Sequence, residues 1–404
     1  MNYTVEQEQA ISLRDRDILV SAGAGAGKTR VLVSRIADMI VDQSRTVRAD
    51  QFLVMTFTNA AAAEMRERIH QELDERLDKN PENRYLLKQI HLLKQADIST
   101  VHSFCSRLLR THFSEAGIDP AFRVGEDGEM KLLREQAMAD LMEEAYQKHD
   151  QGFLDLVEAY APEKDDTPIT EMIESLYTFS RSFPDADRWY QQIFEIYRNT
   201  SDEEDFEQSF YVQNTIRYAR RVINRHRRAM ESFGERVPSE DWQDKFYLSY
   251  QNDLKVMDDL LACQTYQDWY GEIATAKLGK KPTNSKRTPF LYDSSYKNLR
   301  DRLKEDLKKL QKSIFWAPME DITDQCQKTK PYVEELIQLT QRYEEIYFAD
   351  KQDQNVYDFD DLEHLSMKLL VKGYDQDGKP VPTEIALSLQ ERYREIFVDE
   401  YQDT

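Results

Sequence analysis

The stretch Ser21-Ala22-Gly23-Ala24-Gly25-Ala26-Gly27-Lys28-Thr29 constrains this chain more than any other. It lies between an apolar run, Ile18-Leu19-Val20, and a helical pattern beginning at Arg30, in which Val31, Leu32, Ile36, Met39 and Ile40 recur on one face. Small residues let successive backbone N–H groups curl around a triphosphate. Lys28 is placed to reach the β- and γ-phosphates, and the Thr29 hydroxyl to coordinate magnesium. The helix after Thr29 adds its positive N-terminal end. The segment reads as a phosphate-binding loop between a strand at about Asp17–Val20 and a helix. Its pattern usually opens with glycine, and here that position is Ala22. The match therefore rests on Gly27-Lys28-Thr29 and the strand-loop-helix context, with a plain Gly/Ala linker as the alternative. A dinucleotide fold fits less well, because Lys28 stands where the third glycine after Gly23-x-Gly25 should be.

Phe52–Phe57 reads as a second buried strand, leading through Thr58-Asn59 into a helix whose alanine-rich start favours that conformation. Either Thr58 or Asn59 can cap it. Ala96–Thr100 reads as a third strand, followed by Val101-His102-Ser103-Phe104 and a helix through Arg107 and Arg110. Strands alternating with helices imply an α/β fold with a parallel sheet. From about residue 113 to 356 long amphipathic helices replace that alternation. Met130, Leu133, Ala137, Leu141 and Ala145 make one stripe; Val333, Leu336, Ile337, Thr340 and Tyr347 make another, after a helix start at Pro331. Strand-like sequence returns only at Ile396-Phe397-Val398, ahead of Asp399-Glu400. An apolar strand ending in Asp-Glu is the natural partner of a phosphate loop. Asp399 would hold magnesium through water, and Glu400 would orient or deprotonate the attacking water.

The formal net charge of −21 does not exclude nucleic acid, because it is unevenly spread: residues 1–112 carry 16 Lys+Arg against 15 Asp+Glu, and residues 113–404 carry 38 against 60. Charges farther apart than roughly 8 Å are largely screened at physiological salt, so a local basic groove decides binding. Two basic patches interrupt the acid: Arg217, Arg220, Arg221, Arg225, Arg227 and Arg228 in a helical run, and Lys277, Lys280, Lys281, Lys286 and Arg287 in a loop. Each reads as a solvated surface or as a nucleic-acid contact. Cys105, Cys263 and Cys326 are scattered, without zinc-ligand spacing, and read as reduced thiols. No apolar run approaches the length of a membrane span and no signal-peptide layout opens the chain, so a cytoplasmic protein without membrane partners is expected.

Position by position, these residues resemble the UvrD/Rep group of superfamily 1 DNA helicases, over residues 3–112 and about 357–404. The resemblance assigns Gln7 to reading adenine and Arg30 to the side of the base. It assigns Ala22, Gly23, Ala24, Gly25, Ala26, Gly27, Lys28 and Thr29 to ATP, Thr29 and Asp399 to Mg2+, and Lys28, Asp399, Glu400 and Gln402 to hydrolysis. Thr56-Phe57-Thr58-Asn59 and the run to Met65 look like motif Ia; Thr100-x-His102-Ser103-Phe104 looks like motif Ib. Both line the single-strand DNA track in that group. Asp358-Phe359-Asp360-Asp361-Leu362 resembles the segment before motif II, and Asp399-Glu400-Tyr401-Gln402-Asp403-Thr404 resembles motif II itself.

The long helical insertion is similar to that of the AddA or RexA family of helicase-nucleases, whose full enzyme repairs double-strand breaks with a partner protein. The resemblance thus implies a RecA-like ATP-binding domain from residues 1–112 and 350–404, a helical insertion over 113–349, ATP and magnesium as cofactors, and single-stranded DNA and duplex DNA ends as partners beside a second subunit. Three local alternatives accompany it: Phe57 as core, His102 as a polar DNA contact rather than a general base, and Asp358, Asp360 and Asp361 as a helix cap rather than a metal centre. The alternative for the whole chain is a non-catalytic DNA- or partner-binding fragment with an incomplete nucleotide site. Its ground is that the second RecA-like domain of the resembled helicases, with its arginines, and the strand lying between the phosphate-loop and motif II strands are not found before Thr404.

Overall fold

The computed structural model describes residues 3–23, 25–44, 47–161, 165–198, 203–286, 289–375 and 378–403; Ala24 of the expected loop, Thr404 and Arg287 lie outside them. The chain opens with α1 (Val5–Ser12), α2 (Lys28–Val41), β1 (Phe52–Thr56), α3 (Asn59–Asp78), α4 (Arg84–Leu93), β2 (Asp97–Thr100), α5 (Val101–Thr111) and a short α6 (Phe113–Ala116). Then come β3 (Arg123–Val124), α7 (Asp127–Lys148), α8 (Gln151–Tyr160), α9 (Thr167–Ser180), α10 (Ala186–Arg198), α11 (Glu203–Glu207) and the long α12 (Phe210–Arg236). After α13 (Asp244–Ala262), α14 (Tyr266–Thr275), α15 (Asp293–Lys309) and α16 (Met319–Asp353), the chain ends through β4 (Val356–Tyr357), α17 (Phe359–Leu370), the hairpin β5 (Val371–Tyr374) and β6 (Pro380–Pro382), α18 (Glu384–Arg392) and β7 (Glu395–Val398).

Two compact units result, residues 1–139 with 345–404, and residues 140–344. These divisions differ from the 112/113 and 349/350 boundaries drawn from the end of strand alternation. Residues 113–139 go with the first unit because β3 pairs in parallel with β4, Arg123 opposite Val356, and the Gly125 N–H donates to the Tyr357 carbonyl at 3.0 Å.

The first unit is α/β with a parallel sheet in the order β2-β1-β7. Val54 of the central strand lies opposite Ile98 on one side and Phe397 on the other. Phe52, Leu53 and Val54 are buried, as a strand covered on both faces requires. Ile36, Met39 and Ile40 of α2 and Met65, Ile69 and Leu73 of α3 complete that core.

Several expectations need correction. Residues 17–20 form no strand: Leu19 is 80% and Val20 46% exposed. A strand exists through its ladder partners, and among the described residues β7 is hydrogen-bonded to β1 alone while Asp17–Val20 joins no ladder, so the free edge of β7 is not taken up by these residues. The short strands β3 to β6 are additional to the one expected return of strand at residues 396–398. Pro331 does not open a helix but lies inside α16, which starts at Met319. Its ring removes one hydrogen bond from a helix held by its other 34 residues and by burial of Ile337, Thr340, Tyr343 and Tyr347. The stripe from Met130 to Ala145 is buried along α7.

The second unit is helical around its own core, in which Phe233, Phe246, Trp269, Tyr296 and Phe315 are almost fully buried. At its centre Arg300 and Asp253, each about 1% exposed, form an ion pair with Nε–Oδ2 at 2.8 Å, and the Tyr296 hydroxyl donates to the same carboxylate at 2.6 Å.

Candidate nucleotide and nucleic-acid site

Parallel strands deliver their outgoing loops to one edge of the sheet, where ligands of open α/β sheets bind. Thr56 of β1 lies opposite Thr100 of β2, and Met55 lies opposite Val398 of β7. The segments after these three strands, 57–59, 101–104 and 399–400, therefore emerge together. They are the candidate segments of the sequence.

Within the loop, Gly25 and Gly27 have φ of 77° and 81°, a left-handed conformation in which glycine is at ease. Neither is held to glycine by crowding, since a Cβ on Gly25 would meet nothing and on Gly27 only the Gln7 amide at 3.8 Å. Gly27 caps α2 without a side-chain acceptor, so the first N–H groups of the helix carry no side-chain cap. Lys28 turns back to donate to the Ala22 carbonyl at 3.2 Å.

Asp399 stands one residue past β7, where its N–H extends the ladder to the Met55 carbonyl at 2.9 Å. Burial pushes its carboxyl above the ordinary value and the Glu400 charge adds to this, while a hydrogen bond from Thr29 and the charge of Lys28 act the other way. Thr29 and Lys28, from the opposite end of the chain, are thus near enough to Asp399 to favour its ionised form. Glu400 has φ of 51°, a strained conformation for a side-chain-bearing residue, and its carboxylate accepts from the Gln402 amide.

In the segment expected to face adenine, Gln7 is engaged twice: its amide nitrogen donates to the Ala26 carbonyl at 3.1 Å, and its amide oxygen accepts from the Thr4 N–H at 3.0 Å in a capping box that starts α1. In the sequence Tyr3 stands out only as part of the opening Tyr3-Thr4-x-Glu6-Gln7, without a role of its own; in the structure Arg30 lies 4.9 Å from its ring centroid and its hydroxyl bonds the Ser34 hydroxyl at 2.6 Å. Arg35 secures the assembly by donating to the carbonyls of Ala10 at 2.8 Å and Leu13 at 2.6 Å, which ties the end of α1 to α2.

The two segments expected to touch DNA are joined by hydroxyls. Thr100 caps α5 through the Ser103 N–H at 3.2 Å and donates to the Ser103 hydroxyl at 2.8 Å, which in turn donates to the Asn59 amide oxygen at 3.1 Å. Thr58 caps α3 through the Ala61 N–H at 3.0 Å, and the Thr56 hydroxyl donates to the Thr58 carbonyl at 3.0 Å. Phe57 is 64% exposed and is not core. His102 pairs with Glu363 at 3.0 Å and lies against Phe359, ring centroids 4.4 Å apart. Phe359 is itself half exposed, an aromatic at this edge that its position in a capping motif disguised. Phe104 packs against Tyr393 with centroids 6.2 Å apart.

Asp358 is the cap of α17, accepting from the Asp361 N–H at 2.9 Å, and the buried Lys351 lies 3.2 Å from Asp358 and 2.5 Å from Asp361. The carboxylates here serve a helix start and an ion pair. Among the described residues no three His, Cys, Asp or Glu side chains cluster around a potential metal position. One hydroxyl and one carboxylate, Thr29 with Asp399, nevertheless fit magnesium, which takes few protein ligands beside phosphate and water. No helix among the described residues is long and apolar enough to cross a membrane.

Residues 3–404 match the family model described as the UvrD/REP helicase N-terminal domain. The whole chain is similar to proteins named as the A subunit of an ATP-dependent helicase/nuclease: 35% identical over 405 residues to that of Thermoanaerobacter sp. (strain X514), and 33% over 414 residues to those of Clostridioides difficile (strain 630) and Listeria innocua serovar 6a. It covers 33%, 32% and 32% of these relatives, about a third of their length.

Proposed function

The chain belongs to the UvrD/REP helicase family by its N-terminal domain, and on that premise we propose that it is the ATP-binding part of an ATP-dependent DNA helicase of the helicase-nuclease type. It moves along single-stranded DNA during double-strand break repair and recombination, in the cytoplasm, working on duplex ends together with a second subunit. The domain that binds ATP is RecA-like. One observation supports this reading: the parallel pairing of β1 with β2 and β7 brings Asp399 and the segments after Thr56 and Thr100 out at one edge of the sheet.

In this reading Lys28 exchanges its bond to the Ala22 carbonyl for the β- and γ-phosphates, and the N–H groups opening α2 receive phosphate oxygens. Gln7 and Arg30 lie beside the base. Thr29 and Asp399 hold magnesium, which when bound supplies charge stabilisation at the phosphate oxygens. Glu400, held by the Gln402 amide, orients the attacking water. Because Asp399 and the segments after Thr56 and Thr100 end adjacent strands, a shift at the nucleotide alters the grip of the Asn59–Ser103–Thr100 chain and Phe57 on a DNA strand.

A second reading, a binding module with an incomplete nucleotide site, is favoured by residues 17–20, which precede the loop outside any ladder with Leu19 and Val20 exposed. A DNA-stimulated ATPase assay on the 404-residue chain separates the two. The expected result is turnover that falls at least about a hundredfold in Lys28→Ala, the scale on which loss of one transition-state donor is felt. DNA binding indifferent to ATP, with no turnover dependent on Lys28, favours the module.

A further inference from the structure

Between Arg217 and Arg228 the helix α12 carries six arginines, and they do not share one fate. Arg225 pairs with Asp306 at 3.0 Å, Arg227 with Asp258 at 2.6 Å and Glu231 at 2.8 Å, and Arg220 donates to the Gln264 amide oxygen at 3.1 Å. Arg217 bonds only the Asn214 amide oxygen, at 2.8 Å, and among the described residues neither Arg221 nor Arg228 has an ion pair. Positions 214, 217, 221, 224 and 228 advance by threes and fours, so Asn214, Arg217, Arg221, Asn224 and Arg228 form one stripe along the helix. Arg217, Arg221, Asn224 and Arg228 are exposed. The arginines of the stripe are spaced roughly 6 Å and 10 Å along the axis.

The sequence around the stripe is unusual for this chain. No Asp or Glu occurs from Gln208 to Met230, in a protein with 75 acidic residues among 404. A merely solvated face in so acidic a chain would find carboxylates for its guanidiniums, as Arg225 and Arg227 do. Beside the stripe, at the N-terminal half of α12, lies a hollow of about 340 Å³ walled by Trp189, Phe210, Tyr211, Asn214, Tyr218 and Ile314. Phe210 is 63% exposed, Tyr218 50% and Tyr211 48%. Arg221 follows Tyr218 by three residues, so the two share one side of the helix.

The second basic patch is different. Lys281 is paired with Asp293, Arg300 donates to the Gly279 carbonyl, and Lys245 donates to the Thr283 carbonyl at 2.7 Å, so that loop is bound into its own unit.

We infer that the outer face of α12 is a second binding surface for single-stranded nucleic acid, with Arg217, Arg221 and Arg228 on successive phosphates and Tyr218, at the mouth of the aromatic hollow, stacking on a base. Bases offer flat faces to exposed aromatics whatever their sequence, and arginines beside them track the backbone. The inference draws on the proposed function only for the class of ligand, and its residues all belong to the second unit.

The test is fluorescence anisotropy of a labelled oligothymidylate with the whole 404-residue chain, without nucleotide, across a salt series. In Arg217→Gln/Arg221→Gln/Arg228→Gln the affinity is expected to fall at least tenfold. The slope of log affinity against log salt should become shallower by about two, at roughly 0.7 for each phosphate no longer neutralised. Tyr218→Ala should weaken binding about tenfold, and the triple Arg→Lys variant should retain the wild-type slope. All these positions are on the surface, so thermal unfolding should not move. Unchanged affinity and slope in the triple variant overturn the inference, and the face is then one for a protein partner or for water. Equal losses on a duplex, with Tyr218→Ala silent, overturn it in favour of a duplex backbone contact. Loss confined to Phe57→Ala overturns it while leaving the proposed function standing; loss confined to the α12 variants upholds it and removes Phe57 from the DNA track.

Discussion

Phe57 continues the alternation of its strand, and a reader of the sequence can place it in the core as easily as on a ligand. The structure decides by one residue: β1 ends at Thr56, the chain turns into the cap of α3, and the ring is left 64% exposed. Replacing it by alanine should therefore cost little stability while weakening single-strand binding by about 1–3 kcal/mol, as titration of an oligonucleotide would measure. Asp399 gives a prediction in pH. Its carboxyl is raised chiefly by burial, to which the Glu400 charge adds, so it stays protonated to a higher pH than an ordinary aspartate. Metal binding requires the ionised form, and magnesium-supported nucleotide binding should fall away on acidification earlier than an ordinary carboxylate allows. Asp399→Asn should remove both the magnesium dependence and this pH dependence; a pH profile unchanged in that variant would count against the assignment. Lys28, Thr29 and Asp399 could be named from the sequence as candidates because motif spacing fixes residue types. Tyr3 beside Arg30, and Phe359 beside His102, could not, because each pair joins segments remote in the chain through a contact that neither segment signals alone.

Helix α17 shows how an element can carry acidic residues that look catalytic and are architectural. Asp358 and Asp361 cap its start and enclose Lys351, which is 1% exposed and lies 4.0 Å from the Tyr347 ring centroid. Burial alone would push the Asp358 carboxyl up, but the Lys351 ammonium holds it below the usual carboxylate range. A depressed carboxyl stabilises the fold above its unfolded value, and that contribution is lost as pH falls through the folded value. Lys351→Met, which strands two buried carboxylates, should cost about 3–5 kcal/mol at neutral pH in denaturant melts. The deficit should narrow on acidification as the carboxylates take up protons. The elements themselves were read well where a strand or helix has a strong local signal: β1, β2, β7, α2 and α3. They were misread where the outcome depends on neighbours. Residues 17–20 have strand composition and no ladder partner, Pro331 is carried by a long helix already committed on both sides, and β3 meets β4 across more than half of the chain.

For the whole molecule, the division of labour follows the composition. Near-neutral residues 1–112 supply the loop, β1, β2 and both hydroxyl-linked segments, and the acidic remainder supplies the helical unit and the strand that bears Asp399. The family and the parallel sheet could be read from motifs at the two ends; the extent of each unit could not, because the short β3–β4 pairing that fixes it has no sequence signature. One feature of the sheet governs how this protein behaves at high concentration. Among the described residues β7 is hydrogen-bonded on one side only, and Ile396 on that strand is 63% exposed with Leu19 and Val20 also bare. Such a strand is a template for any extended chain that meets it, including another copy of itself. Light scattering should detect association that rises with protein concentration, and Ile396→Lys, a charge of the kind that guards natural edges, should suppress it without touching the nucleotide loop. The same open side that leaves the loop's leading residues without a ladder is thus a colloidal liability, and solubility becomes a direct reading of whether that edge has found a partner.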